Sequence, residues 1–310
     1  MTAFAFVFPG QGSQAPGMGQ ELYREFALAR RVFEEASDAL RFNLARLCFD
    51  GSEEELQLTA NTQPAVLTVS AAAWKVLHAE TGLHPVAAAG HSLGEYSALL
   101  AVGALDLPSA VGAVRSRGAF MQEAVPAGKG AMAAVMGLDA DKLAAICAEA
   151  AQGEVVTPAN FNAPDQIAIS GAAAAVARAS ELAKARGAKR VIPLKVSAPF
   201  HCELMQPAAE RMAEALKAIS WQPLGRPVIS NVEAKAYAGP EAAADLLIRQ
   251  ITSPVRWVES VKALAESGAE AFLEIGPGKV LAGLIKRILP EAKTLNFVSP
   301  KDLKAIVEAL

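Results

Sequence analysis

Residues 90 to 94, Gly-His-Ser-Leu-Gly, set a serine between two glycines, directly after the apolar run Val86-Ala87-Ala88-Ala89 and before a helical stretch. A G-x-S-x-G in that setting turns a strand sharply into a helix and pushes the serine hydroxyl, here that of Ser92, into the open. The next N–H, that of Leu93, then sits at a helix N-terminus, where unpaired donors and the helix dipole favour a developing negative oxygen. A serine hydroxyl attacks a carbonyl carbon only with a base beside it. Of the four histidines, His91 lies inside the turn, where its side chain is expected to point away from Ser92. His78 and His84 flank a loop and read as solvated. His201, in the segment Val-Ser-Ala-Pro-Phe-His-Cys, is left as the candidate base. Cys202 beside it reads as a small packing residue, since no second base accompanies it.

The order Ser92 then His201 does not suit an ordinary α/β-hydrolase, which places an acid between the two and its histidine near the C-terminus. Here residues 202–310 still follow, and no acid between them stands out. A dyad is expected, its imidazole oriented by an amide or a backbone carbonyl. Arg115 and Arg117 stand two apart in a helical run, so they face different ways. Either could grip a substrate carboxylate bidentately.

A second glycine turn lies at the start of the chain, where the strand-like run Phe4 to Phe8 is followed by Pro-Gly-Gln-Gly-Ser-Gln. Read as Gly10-x-Gly12-x-x-Ala15, it meets the loose fingerprint of a dinucleotide-binding turn. That use requires an acidic residue at the end of a second strand about 20 residues on. The sequence there is helical, LARRVFEEASDAL, and the fingerprint is a false positive.

Strands and helices must hold these groups. Up to about residue 125, strands alternate with helices, which implies a parallel sheet covered on both faces. Residues 126–200 read instead as βαββαβ: a strand at 130–136, a helix at 139–151, strands at 155–159 and 166–170 around the turn Asn162-Ala163-Pro164-Asp165, a helix at 172–186 and a strand at 190–196. That order is the ferredoxin-like arrangement. Alternation then resumes, with a helix at 202–217 and strands at 227–230 and 271–275. The expected fold is α/β: an α/β-hydrolase-like large subdomain (1–125 and 201–310) with a parallel sheet, and an inserted ferredoxin-like small subdomain (126–200). The junctions lie side by side and make a cleft, with His201 at the point of return.

The 310 residues, 52% hydrophobic with a formal net charge of −3, are long enough for one large core and a second smaller unit. A slightly acidic balance gives no reason to expect nucleic acid or an anionic membrane as partner. The N-terminus carries no secretory pattern, and the apolar runs are too short to span a bilayer. Three scattered cysteines without a C-x-x-C pair, and few histidines, argue against a metal site. A reduced, cytoplasmic enzyme is the expectation, and a monomer.

Seven segments occur in order: FPGQGSQ, GHSLGEYSAL, RGAFMQEAVP, NFNAPDQIAISG, SAPFH, QITSPVRW and EIGPGKVLAGLIKRI. Together they resemble the malonyl-CoA:acyl-carrier-protein transacylases of type II fatty acid synthesis, over essentially the whole chain. A free-standing polyketide-type acyltransferase using malonyl or a branched extender shares this chemistry, and a serine thioesterase is the rival outside it. The resemblance implies that Ser92 carries the acyl group as an ester and that His201 serves as base and then acid. It assigns Arg117, rather than Arg115, to the malonyl carboxylate, and matches Gln250 to the position that orients the histidine. The N–H groups of Gln11 and Leu93 would form the oxyanion hole. Phe200, before the histidine, goes with malonyl in the related acyltransferases. The implied substrates are malonyl-CoA and the phosphopantetheine thiol of an acidic acyl carrier protein, which Lys189, Arg190, Lys279, Lys286 and Arg287 are placed to meet. No cofactor is implied beyond the CoA thioester that is itself substrate.

Overall fold

The computed structural model describes residues 2–310. Five strands, β1 (Phe4–Phe8), β2 (Ala87–Gly90), β7 (Val228–Ile229), β8 (Ala271–Ile275) and β9 (Lys293–Phe297), form one sheet in the order β7-β2-β1-β8-β9. Every pairing in it is parallel. The remaining four, β3 (Gly130–Met136), β4 (Val156–Ala163), β5 (Gln166–Ala172) and β6 (Arg190–Pro193), form an antiparallel sheet in the order β4-β5-β3-β6. With the helices Ala140–Ala151 and Ala173–Ala185 between its strands, the second sheet has the ferredoxin-like topology.

Alternation along the central strands sorts the core. Phe4, Phe6 and Phe8 of β1 pack on one face with Trp74, whose ring meets Phe6 edge-on at 5.4 Å. Ala5 and Val7 point to the opposite face, against Trp257, Leu264 and Ile285. Bulky residues on one side and small ones on the other leave both faces dry, as a parallel sheet requires. Each buried Phe contributes about 1.5–3 kcal/mol relative to exposure. Among the described residues, no helix is long and apolar enough to cross a membrane.

Three local readings change. The turn expected at Asn162-Ala163-Pro164-Asp165 shortens, because β4 continues to Ala163 through two register shifts and leaves Pro164 and Asp165 between the strands. The added pairing comes from outside the small sheet: Phe161 N–H donates to Val255 O, and Val255 N–H donates to Ala159 O. The helical periodicity after the N-terminal glycine turn, which runs from Glu21 to Leu40, breaks at Phe26 into Gln20–Glu25 and Ala27–Leu40. The helix expected from Cys202 begins as a 3₁₀ turn at Glu203–Met205 before Gln206–Lys217.

The ends of β1 and β2 set the site. Phe8 pairs with Gly90, so the two glycine turns leave the same sheet edge together, at the carboxyl ends where α/β sheets bind ligands. A Cβ on Gly10 would stand 2.4 Å from His91 O, and one on Gly94 would stand 2.1 Å from Phe8 O. A Cβ on Gly90 would meet the Gly94 carbonyl carbon at 1.8 Å. Gly90→Ala is expected to lower stability by about 3 kcal/mol or more, because only backbone could give way. Gly112→Ala is the control: nothing lies within 4 Å of its added Cβ, and helix propensity favours alanine by about 1 kcal/mol. Urea midpoints of the two variants should move in opposite directions.

Candidate active site

Ser92 lies at φ 52° and His201 at φ 60°, both in the left-handed region that side chains rarely occupy. Two such residues facing each other mark stored strain that the surroundings must hold. At Ser92 the holding group is Asn231. Its Oδ1 accepts from Ser92 N–H at 2.7 Å, and its Nδ2 donates to Gly90 O at 2.7 Å. One buried amide thus ties both ends of the turn.

Ser92 Oγ lies 2.8 Å from His201 Nε2. The other ring nitrogen, Nδ1, lies 2.8 Å from the backbone carbonyl of Gln250. A carbonyl only accepts, so Nδ1 carries the proton and Nε2 is free to take one from the hydroxyl. Burial, and then the positive charge of Arg117, push the His201 pKa down to about 3. The imidazole is therefore neutral at working pH.

Arg117 is buried, on the helix Leu107–Glu123. Its neighbour Gly118 lets that helix approach the helix Thr59–Thr81, since a Cβ there would lie 2.5 Å from Thr59 O. The approach places the guanidinium against Gln63 Oε1 (2.9 Å), while Nη2 reaches Gln250 Oε1 (2.8 Å) and Ser92 Oγ (3.0 Å). Its Nε–H is buried without a partner among the described residues. Arg115 faces elsewhere, donating to Ala60 O and Asn61 Oδ1 at 2.6 Å each. The geometry thus separates two arginines that spacing alone left equivalent.

Gln250 has two separate functions in the structure. The backbone oxygen holds His201, whereas the side chain points away, to Arg117, to Ser92 O (3.0 Å) and to Glu95 Oε2 (2.6 Å). The N–H groups of Gln11 and Leu93 have no acceptor among the described residues. Both residues line a cavity of about 160 Å³ with Ser92, His201, Arg117 and Phe200, closed on the far side by Met132, Asn160 and Ala168 of the antiparallel sheet.

His91 makes its contact away from Ser92, as its place inside the turn implied. It belongs to the cavity wall, where Nε2 lies 2.8 Å from Asn162 Oδ1, and it makes no bond to Ser92. The extended β4 that displaced the expected turn is what carries Asn162 there. His78 is half-buried, its Nδ1 on Leu83 O at 3.1 Å and its ring beside Trp74; His84 is exposed. Cys202 is buried, its thiol donating to Pro199 O. Of the basic residues near the cleft, Arg287 is engaged with Asp165 at 2.5 Å and with Gln166.

Gln63, Asn231 and Glu95 complete the site and were not singled out in the sequence. Glu95 alone left a signal, a carboxylate inside the apolar helical run that follows Ser92.

A serine on a strand-to-helix elbow, with an imidazole acceptor and two free amides around one cavity, is the arrangement of an α/β enzyme that handles acyl groups. Comparison with known proteins narrows that class. The acyl transferase domain model matches residues 5–303. The malonyl CoA-acyl carrier protein transacylase of Bacillus subtilis is 50% identical over 311 residues, covering 100% of this chain and 98% of its own. The structure of the malonyl CoA-acyl carrier protein transacylase from Coxiella burnetii matches with a TM-score of 0.98 at 45% identity, over 100% of this chain and 98% of the other. A malonyl-transacylase solved in complex with its type II PKS acyl-carrier protein matches with a TM-score of 0.97 at 46% identity, over 100% of both chains. The chain belongs to the acyl transferase domain family.

Asn231→Ala would leave the half-buried Ser92 N–H and the buried Gly90 carbonyl unpaired. Each orphaned group costs about 1–3 kcal/mol, so a loss of at least about 2 kcal/mol is expected in urea unfolding.

Proposed function

We propose that this enzyme transfers a malonyl group from malonyl-CoA to the phosphopantetheine thiol of an acyl carrier protein, through an ester on Ser92, and so supplies extender units for fatty acid synthesis. The observation that carries the reading is the pair of contacts on one oxygen: Ser92 Oγ has His201 Nε2 at 2.8 Å and Arg117 Nη2 at 3.0 Å. A base and a carboxylate-binding cation meet at the nucleophile.

Ser92 Oγ attacks the thioester carbon while its proton passes to His201 Nε2. The growing imidazolium is held through Nδ1–H by the Gln250 carbonyl. The carbonyl oxygen becomes an oxyanion between the Gln11 and Leu93 amides, each such donor contributing about 3 kcal/mol. The C–S bond then breaks, His201 returns the proton to the departing CoA sulfur, and the ester remains. The carrier thiol repeats the sequence in reverse: it gives its proton to His201 as its sulfur attacks the ester, and Ser92 Oγ leaves with that proton. The result is ping-pong transfer. No cofactor is called for, since the thioester is a substrate.

Arg117 gives the acyl group its chemistry. In the free site its Nη2 donates to Ser92 Oγ; the distal carboxylate of a malonyl group offers a charged acceptor in its place, and the unpartnered Nε–H supplies a second donor. Pairing with that carboxylate also offsets the cation that depresses His201, so a malonyl group strengthens its own base and an acetyl group does not. The bulk of Phe200, buried on the cavity wall, favours an unbranched diacid over a branched one.

The acceptor assignment is supported by the related malonyl-transacylase solved with an acyl-carrier protein. Lys189, Arg190, Lys279 and Lys286 are the cations we assign to an acidic carrier, with Arg287 already tied to Asp165. A monomer in the cytoplasm fits three cysteines that are all free and buried.

Brief mixing with malonyl-CoA, without acceptor, should add one malonyl mass to the intact protein, and Ser92→Ala should show no adduct. Arg117→Ala should slow malonyl acylation thirtyfold or more, the loss of a buried charged pair of about 2–5 kcal/mol, with a smaller effect on acetyl-CoA. Rapid release of free malonate in place of the adduct would make the enzyme a hydrolase and reject the assignment.

A further inference from the structure

Behind Ser92 lies a buried carboxylate that the transfer mechanism does not use. Glu95 sits in the first turn of the helix Gly94–Ala101 and is wholly enclosed. It is surrounded by donors. Tyr237 O–H reaches Oε1, while Gln250 Nε2 and Asn231 N–H reach Oε2 at 2.6 and 3.1 Å. The Gln250 amide bridges this carboxylate to Arg117, whose Nη2 donates to Oε1 of the amide at 2.8 Å.

An amide has a donor end and an acceptor end, and its neighbours decide which way it lies. A guanidinium only donates and an ionised carboxylate only accepts. Between Arg117 on one side and Glu95 with the Ser92 carbonyl on the other, therefore, Gln250 has one orientation that satisfies every group. Turned over, its NH₂ would face the guanidinium and its oxygen would face the carboxylate. Resting on the transacylase reading above, we propose that Glu95 is a positioning residue for acyl-group selection: as an acceptor-only carboxylate it fixes, together with the Ser92 carbonyl, the polarity of the Gln250 amide, and that amide holds Arg117 on the malonyl side of Ser92.

Ionisation of Glu95 then becomes a control on Arg117. A neutral Glu95 brings a proton to a place where Tyr237, Gln250 and Asn231 all donate, and it leaves the Ser92 carbonyl as the one full acceptor holding the amide NH₂. The titratable or charged groups facing Glu95 are Tyr237 from the segment after β7, Arg117 from the helix Leu107–Glu123, and Tyr96 beside it on its own helix. His201 lies beyond Gln250, and the exposed Glu233 stands on the Tyr237 segment. Burial raises the Glu95 pKa to about 7, against the opposing effect of the Tyr237 and Gln250 hydrogen bonds. His201 is held at about 3. An acid limb near neutrality that is deeper for malonyl than for acetyl, and that Glu95→Gln removes, is the one assigned to Glu95.

The test is the rate of ester formation on Ser92, read by quenched-flow mass spectrometry with malonyl-CoA and acetyl-CoA, between pH 5 and 9. In the parent enzyme the malonyl rate should fall as pH drops through about 7, and the acetyl rate should show a weaker limb there. Glu95→Ala should reduce malonyl acylation at least tenfold more than acetyl acylation. Glu95→Gln, which keeps an acceptor oxygen but no ionisation, should restore part of the malonyl rate and abolish the limb. Tyr237→Phe removes a hydrogen bond that favours the ionised form, so it should move the limb to higher pH. It tests the same point if Glu95→Ala does not fold. Equal losses for the two acyl groups, or an unchanged limb in Glu95→Gln, would overturn the proposal while leaving the transacylase reading intact. Absence of any malonyl ester in the parent enzyme would overturn both.

Discussion

A guanidinium enclosed by protein must find acceptors for its hydrogens and an offset for its charge, or cost several kcal/mol. Arg117 meets most of that requirement with neutral oxygens, those of Gln63, Gln250 and the hydroxyl of Ser92, and leaves its Nε–H without an acceptor among the described residues. The opposite charge, on Glu95, lies beyond the Gln250 amide and not in direct contact with it. Much of the site follows from that arrangement. A direct carboxylate partner would satisfy the arginine fully and leave nothing for a substrate to pair with. Neutral acceptors enclose the cation and still leave its charge available.

The same cation explains why the imidazole is held by a carbonyl. A carboxylate at Nδ1 would favour protonated histidine and add a negative charge within reach of Arg117. The two would compete for it, and a substrate carboxylate would enter a site already neutralised. The Gln250 carbonyl fixes the tautomer without adding charge. One residue thereby serves both halves of the proposed chemistry, its backbone on His201 and its side chain on Arg117. His201 and Arg117 share a mount, so the base cannot shift without the carboxylate site shifting too.

What the sequence made legible was local. The Ser92 elbow could be read because its glycines answer a backbone demand visible over five residues, and the structure shows why: Gly90 and Gly94 touch, and Gly94 meets Phe8. The βαββαβ order of the small sheet followed from periodicity alone. Arg115 and Arg117 could not be separated that way, because the choice depends on where two helices cross, at Gly118 over Thr59. Asn231 left no trace, since it follows a strand of two residues and acts on a turn 139 positions away. The turn at Asn162 was misplaced for a related reason. Turn-forming residues marked it, but pairing of β4 with Val255 carried the strand through them. That long-range contact decides the function of Asn162, which would otherwise lie at a hairpin tip.

Strain is the other cost the fold carries. Ser92 and His201 both take left-handed backbone that glycine would adopt freely, yet neither can be glycine because each side chain is needed. Such residues cost of order 1–3 kcal/mol each. The compensation is specific to each. Asn231 bonds both ends of the Ser92 turn, while His201 is buried and bonded at Nδ1 and Nε2. The distorted geometry is useful because it aims both side chains at one point from opposite sides of the cleft. A relaxed backbone at either position would turn the side chain away, and the hydroxyl, the ring and the guanidinium would no longer meet on a single oxygen.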